Sequence, residues 1–327
     1  GDDFPRILVA VAPLAPYVSE ITKGVAPAQS LLKPGQEPHD FALSPSQAEA
    51  LDKADVIIIA DYGMSRPFEA MLRKKKNLKV IELSALTGAA PLPYAEENPW
   101  IAKIKDADAE TFGDGEHDAH DKASAKEEAA AQEHEHETRS KTDIDPHFWL
   151  DPVRMADMAP SLAAALGEIY PNRRATFQTN ATTLANHLRN DVTPAMQAML
   201  KPSNEPKAME YTKPTTPFIT YHAAYQYFLK RFALEDGGFI TQAPAERMGA
   251  RTLHKALEAS DDVSLHCLIS ENTSAVVKRI AKNTGARVVV LNPESSVRKT
   301  RMDEPEWIAN DYDRLLYTIA TAFAGCA

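Results

Sequence analysis

Short apolar strands alternate with amphipathic helical segments at the start of the 327-residue chain. This alternation limits the fold more than any other feature, because strands separated by helices pair in parallel and need helices to cover the sheet. The run VIIIA at 56–60 is apolar at every position, as expected of a strand buried on both faces. The segments of this pattern are strands at 7–11, 30–33, 56–60 and 79–83, and helices at 17–22, after the N-cap Ser44 and from Pro67.

A second set of the same kind begins beyond residue 203. We predict strands at 217–221 (PFITY), 265–270 (LHCLIS) and 287–291 (RVVVL), with helices from Ala224, Arg247 and Ser274 and a terminal helix ending near Phe323. The sequence therefore predicts an α/β fold with two lobes of repeated architecture, each a mostly parallel sheet flanked by helices.

A helical repeat lies between the two sets. Apolar residues recur every three or four positions from 175 to 200, which predicts one amphipathic helix about 40 Å long that Pro194 kinks or restarts. We interpret it as the connection between the lobes. The predicted domains are an N-terminal lobe at 1–174, a linking helix at 175–202 and a C-terminal lobe at 203–327.

Residues 106–142 form an insertion of different composition. They carry 12 acidic and 4 basic residues, or −8 of the chain's net charge of −10, with a single aromatic residue. Such a segment cannot bury a core and is predicted to be disordered. The acidic charge argues against a nucleic-acid partner, and apolar runs fall far short of the roughly 20 residues of a membrane span. The insertion also holds His117, His120, His134 and His136.

Three other histidines lie where a parallel sheet presents ligands. His39 and His222 follow predicted strands, and His147 follows the insertion at a loop-to-helix boundary. Ligands of open α/β sheets bind beyond the carboxyl ends of the strands, and three imidazoles with one further position suit zinc. His187, His254 and His266 lie within predicted helices or a strand, where a structural role is expected.

The chain has two cysteines, Cys267 and Cys326, with no CxxC spacing, so a four-thiolate metal site is excluded. A disulfide between them and a pair of buried thiols both remain open from the residues alone.

Five motifs, in order, carry a resemblance: PGQEPHDFALSPSQ, DPHFWLDP, YPNRRATF, TYHAAYQYF and TGARVVVLNP. Together with the His-rich insertion, they resemble the periplasmic zinc-uptake solute-binding proteins of ABC transporters, the ZnuA-like proteins of metal-binding cluster A-I. The resemblance covers nearly the whole chain. It implies two pseudo-related α/β lobes joined by one long rigid helix, with a metal site in the cleft between them.

The resemblance implies that His39, His147 and His222 ligate Zn²⁺ as the transported ion. Manganese-binding relatives have a carboxylate where His222 stands, and a third imidazole favours zinc. The family commonly has an aspartate where this chain has Asn292. The fourth position is therefore open to water, to Glu37 or to a histidine of the insertion.

Several further expectations follow from the resemblance. Glu271 matches a family glutamate, for which we expect a structural or histidine-orienting role. Cys267 and Cys326 match a disulfide of zinc-binding members, and the histidines of the insertion are expected to gather zinc near the cleft. The start of the sequence, GDDFPRILVAVAP, lacks a signal region, so we expect an exported, signal-processed, monomeric periplasmic protein that delivers zinc to a membrane permease.

The residues also admit other functions. A manganese or iron carrier on the same scaffold and an adhesin-like surface protein are two alternatives. A zinc hydrolase or hydratase with three histidine ligands is a third, from a different class, although the chain has no HExxH motif. We expect transport rather than catalysis.

Overall fold

The structure is a computed structural model that describes residues 4–36, 42–95, 98–100, 143–201, 213–242, 250–295, 297 and 303–326. The first lobe holds a four-stranded sheet in the order β2-β1-β3-β4, with every pair parallel. Its elements are β1 (Ile7–Val9), α1 (Leu14–Ile21), β2 (Ala28–Ser30), α2 (Pro45–Lys53), β3 (Val56–Ile59), α3 (Arg66–Arg73) and β4 (Lys79–Glu82).

The second lobe repeats this topology. Its parallel sheet has the order β6-β5-β7-β8, which matches the first sheet strand for strand. The prediction of two pseudo-related α/β lobes is therefore confirmed. The elements are β5 (Thr215–His222), α7 (Gln226–Arg231), β6 (Phe239–Thr241), α8 (Ala250–Ala259), β7 (Ser264–Ser270), α9 (Ala275–Thr284), β8 (Arg287–Val290) and α10 (Asp311–Ala324).

Three helices lie between the sheets in the chain: α4 (Pro152–Ile169), α5 (Arg174–His187) and α6 (Thr193–Met199). A π-helical turn, Leu188–Val192, joins α5 to α6, so the chain is helical from 174 to 199, close to the predicted 175–202. The hydroxyl of Thr193 donates to the Leu188 carbonyl at 2.7 Å, beside Pro194, which has no N–H. The α4 helix follows the loop-to-helix boundary expected at His147, although its bounds were not predicted, and it packs along α5.

Local sequence explains where several elements begin. Ser44 and Gln47 form a reciprocal capping box at the start of α2, as the N-cap prediction requires. Asp151 caps α4 by accepting from the backbone of Val153 and Arg154. The predicted strand at 30–33 was misplaced, because β2 ends at Ser30, and the three-residue β6 was not predicted.

The terminal helix α10 joins both lobes. Near its start, Tyr312 donates from its hydroxyl to the Trp149 carbonyl at 2.6 Å, and its ring contacts that of Tyr17 in α1. Near its end, Phe323 packs against Phe218 of β5. Helix α10 therefore belongs to the packing of both lobes.

Cys267 of β7 and Cys326, just beyond α10, form a disulfide, with a Cα–Cα distance of 5.5 Å. This confirms the expected pairing. The bond fastens the end of α10 to the second sheet, and both sulfur-bearing residues are buried.

A segment after β4 crosses from the first lobe to the second. Pro93 pairs with Ile144 in an isolated antiparallel bridge, whereas Asn98 exchanges two hydrogen bonds with the backbone of Phe239 in β6. Trp100 is 2% exposed and packs into the core of the second lobe. It lies so close to Gly238, whose φ is +108°, that a Cβ there would meet Trp100 Cβ at 2.6 Å. The last described residue before the insertion, Trp100, therefore lies in the second lobe.

Among the helices described, none combines the length and the apolar character that a bilayer span requires.

Candidate metal centre

Two of the predicted ligands face each other between the lobes. His147 begins a 3₁₀ turn of the first lobe, His147–Leu150, and His222 is the last residue of β5 in the second lobe. Their ring centroids are 5.1 Å apart, with the ring planes inclined by 79°, and each residue is 4% exposed. The structure therefore brings one imidazole from each lobe to a shared, buried position.

Asp145 orients the ring of His147. Its Oδ1 atom lies 2.6 Å from Nδ1 of His147 and accepts the backbone N–H of the same residue at 3.0 Å. With Nδ1 donating to this carboxylate, Nε2, which lies 3.5 Å from Oε1 of Glu294, is the nitrogen that can ligate a metal ion.

Glu271 holds His222 in the same way. Its Oε1 atom lies 2.7 Å from Nδ1 of His222. Glu271 directly follows β7, the neighbour of β5, at the point where the strand order of the second sheet reverses. The expected histidine-orienting role of Glu271 matches this contact, which leaves Nε2 of His222 as the nitrogen available to a metal ion.

Glu294 is a third group at the centre, and the sequence analysis did not identify it. It is 2% exposed, and its Oε1 atom lies 3.5 Å from Nε2 of His147. The loop after β8 that carries it is held by two bonds from the first lobe: Trp149 Nε1 donates to the Pro293 carbonyl at 2.8 Å, and Gly35 N to the Glu294 carbonyl at 3.1 Å.

Asn292, the residue to which the resemblance drew attention, has another function here. Its Oδ1 atom accepts the backbone N–H of Glu294 at 2.9 Å, an Asx turn that shapes the loop. The carboxylate of this loop is thus displaced by two residues from the position where the family commonly has aspartate. A search for acidic residues along the whole loop would have found Glu294.

The surroundings of His147 favour its protonated form. Burial lowers the pKa of His147, but the charges and hydrogen bonds of Asp145 and Glu294 outweigh burial and raise the pKa to about 10. A metal ion that bound Nε2 at neutral pH would therefore compete with a proton. Nearby, burial and the charges of Glu271 and Glu294 raise the pKa of the Tyr225 phenol well above its usual value, so it stays neutral.

The remaining predicted ligands lie outside the described residues: His39, Glu37, and His117, His120, His134 and His136 of the insertion. Within the part of the chain that is described, no three His, Cys, Asp or Glu side chains are arranged to enclose a metal ion by themselves. The described centre consists of two oriented imidazoles with Glu294 beside them.

The other three histidines lie away from this centre. His254 is an exposed residue of α8 that pairs with Glu258, and His266 lies in β7, as predicted. His187 is less ordinary than predicted, because it contacts carboxylates of two helices, Asp191 and Asp313.

A sequence model of the family "Zinc-uptake complex component A periplasmic" (ZnuA) matches residues 7–324. Among curated relatives, the high-affinity zinc uptake system protein ZnuA of Brucella abortus is 29% identical over 98% of this chain and 91% of its own length. ZnuA of Yersinia pestis is 27% identical over 89% of this chain and 83% of its own.

Solved structures have the same fold. A crystal structure of ZnuA superposes with a TM-score of 0.66 at 19% identity and covers 98% of both chains. The Zn(II)-bound AdcAII variant of Streptococcus pneumoniae gives 0.63 at 21% identity, with 97% of both chains covered. Because the family model spans nearly the whole chain, the protein belongs to the ZnuA family of periplasmic zinc-uptake components.

Proposed function

We propose that this protein captures Zn²⁺ between its two lobes, with His39, His147 and His222 as ligands, and delivers it to the permease of an ABC-type importer. The observation that supports this most is the pairing of His147 and His222, one from each lobe, each held at Nδ1 by its own carboxylate. Imidazoles oriented in this manner are the usual form of histidine ligands at zinc sites.

Glu294 is our choice for the fourth ligand. Its carboxylate is buried 3.5 Å from the ligating nitrogen of His147, a distance that a small side-chain adjustment converts into shared coordination of one ion. Three imidazoles and one carboxylate suit tetrahedral zinc and are poor in the oxygen ligands that manganese prefers. A site of this composition keeps about one positive charge of Zn²⁺ uncompensated, where three neutral ligands alone would leave about two.

Binding in this arrangement exchanges a proton for the metal. In the zinc-free protein, a proton occupies Nε2 of His147 in this proposal, since the pKa of His147 is raised to about 10 by Asp145 and by Glu294, 3.5 Å away. Zinc takes the place of this proton and is held by the imidazole and Glu294. Reprotonation of His147 then offers a route for release when the ion passes to the permease.

The histidines of the insertion, His117, His120, His134 and His136, act as accessory zinc collectors in this proposal. Tethering keeps their effective concentration near the cleft at a millimolar scale. Asp145, three residues after the insertion, contacts His147, so zinc bound weakly by the insertion is tethered near the centre in this proposal.

ZnuA-family proteins are solute-binding components of zinc transport, found in the periplasm, and they work with an ABC transporter permease. We extend this to the present chain as a monomeric, periplasmic carrier without enzymatic activity. The alternative carriers of manganese or iron differ in ligand preference, which makes metal competition the decisive test.

The experiment is a calorimetric zinc titration of chelator-stripped protein that lacks residues 106–142, repeated in a large excess of manganese. We expect one tight site that manganese does not block, and loss of that site in His147→Ala and His222→Ala. The absence of a tight site from both the deletion protein and the full chain, or a site that manganese occupies equally well, would overturn the proposal. Loss of the site only on deletion of 106–142 would transfer an essential ligand to the insertion.

A further inference from the structure

Gln226, a residue of the second lobe, contacts the part of the metal centre that the first lobe contributes. It is the first residue of α7, four positions after His222, and it is 8% exposed. Its Nε2 atom donates to Oδ2 of Asp145 at 2.6 Å and to the Pro93 carbonyl at 2.9 Å. Both hydrogens of the amide are therefore used on the first lobe.

Asp145 is held at both oxygens as a result. Oδ1 accepts from the backbone and ring of His147, and Oδ2 accepts from Gln226. Asp145 is 1% exposed, so solvent has little access to replace either bond. A carboxylate fixed at both ends cannot rotate, and the imidazole that depends on it is fixed as well.

We infer that Gln226 is a positioning residue for His147, which aligns this ligand through Asp145 only while α7 of the second lobe is docked on the first. This inference rests on the proposed zinc function. If the inference holds, any movement that separates the lobes also frees the imidazole of His147 to rotate. A permease that draws the lobes apart would weaken the site without touching a ligand.

Tyr227, the next residue, offers a matched control. Its hydroxyl accepts the Leu92 N–H at 2.7 Å and donates to the backbone carbonyl of Asp145 at 2.6 Å. These bonds also join α7 to the first lobe, but they leave the Asp145 carboxylate untouched. Tyr227→Phe therefore removes contacts between the lobes without freeing the group that orients His147.

The test compares Gln226→Met, which keeps the length of the side chain and removes its donors, with Tyr227→Phe and the unchanged protein. The readouts are the visible spectrum of bound Co²⁺, the rate at which a chelator removes zinc, and the melting temperature. We expect Q226M to shift the cobalt bands and to release zinc about tenfold faster. We expect Y227F to keep the cobalt spectrum and to release zinc within about twofold of the unchanged protein, at a similar loss of melting temperature.

Two results would overturn the inference: equal zinc release rates in Q226M and Y227F, which would reduce Gln226 to a contact between lobes, or an unchanged cobalt spectrum in Q226M. Should Q226M not fold, Gln226→Asn withdraws the amide by one methylene group and is judged by the same readouts. Absence of tight zinc binding in the unchanged protein is a different outcome, because it would remove the proposed function itself.

Discussion

His187 Nε2 lies 2.6 Å from Asp313 Oδ2, a contact that joins α5 to the terminal helix α10. Asp313 is fully buried, and Asp191 approaches the other ring nitrogen at 2.9 Å. The hydrogen bond that Nε2 of His187 donates to Asp313 is the main cause that raises the pKa of His187 to about 9, against the opposing effect of burial and with further help from Asp191. The imidazolium thus ties the helical connection to the chain terminus.

We expect His187→Ala to lower the free energy of unfolding by about 2 kcal/mol at pH 6. Because the folded-state pKa lies above the unfolded value of about 6.5, this stabilisation is complete below about pH 6.5 and declines as the pH rises through about 9. Urea unfolding of zinc-free protein at several pH values between 6 and 10 measures it. His254→Ala, at an exposed ion pair, is the control and should change stability by less than about 0.5 kcal/mol. A deficit in H187A that stays constant across this range would contradict the prediction.

Zinc binding at pH 8 should release about one proton, because His147 with a pKa of about 10 is protonated there while ordinary histidines, with pKa values near 6.5, are not. The measurement is calorimetry in two buffers of different ionisation enthalpy. The apparent affinity should also fall about tenfold for each pH unit from 9 to 7. An affinity independent of pH above 7.5 would show that His147 is already neutral in the zinc-free protein.

Glu294→Gln should weaken zinc binding by at least about tenfold, or ~1.4 kcal/mol, because the amide lacks the charge that attracts the ion. Glu37→Gln is the matched comparison, since the sequence analysis left the fourth position open to Glu37, to water or to a histidine of the insertion. Chelator competition measures both. The reverse ranking, with E37Q the weaker binder, would assign the fourth position to Glu37.

Loss of the disulfide through Cys267→Ser with Cys326→Ser should lower the free energy of unfolding by about 4 kcal/mol, as chain entropy predicts for a bond across 59 positions. The bond fastens α10 to β7, away from His147 and His222, so zinc affinity should stay within about twofold. Guanidinium unfolding and a zinc titration of the same variant check the two statements. A large loss of affinity in folded protein would connect α10 to the metal centre.

Much of the fold could be predicted from local pattern. The buried strands and capped helices of both lobes follow from apolar periodicity and from residues such as Ser44. The strand β6 could not be predicted in this way, because three residues that follow two glycines are too few to show an alternating apolar pattern. Its position depends on the distant amide of Asn98. Tertiary contacts, which the spacing of residues in the sequence does not reveal, determine how β6 pairs.

Only part of the candidate centre could be predicted, because some of its contacts depend on tertiary structure. His222 was predicted as a ligand because it follows a strand, where parallel sheets present their ligands. His147 was predicted because it lies at a loop-to-helix boundary after the insertion. Asp145 was not named as the partner of His147, although its position two residues earlier could have suggested it. Glu294 could have been found as the acidic residue of the loop after β8, two positions from Asn292. Gln226 reaches Asp145 from the other lobe, and no local signal in the sequence marks that contact.

The position of Trp100 has a consequence for how the length of the insertion can change during evolution. Trp100 is seated in the second lobe, and Ile144 pairs with Pro93 beside the first, so the ends of the intervening segment are fixed by contacts outside it. The entropy of closing a loop grows only with the logarithm of its length, about 0.6 kcal/mol for each doubling. The histidine-rich segment can therefore gain or lose dozens of residues at little cost in folding. Under the proposed function, evolution could therefore change the number of zinc-collecting histidines without changing the residues that set the affinity of the centre.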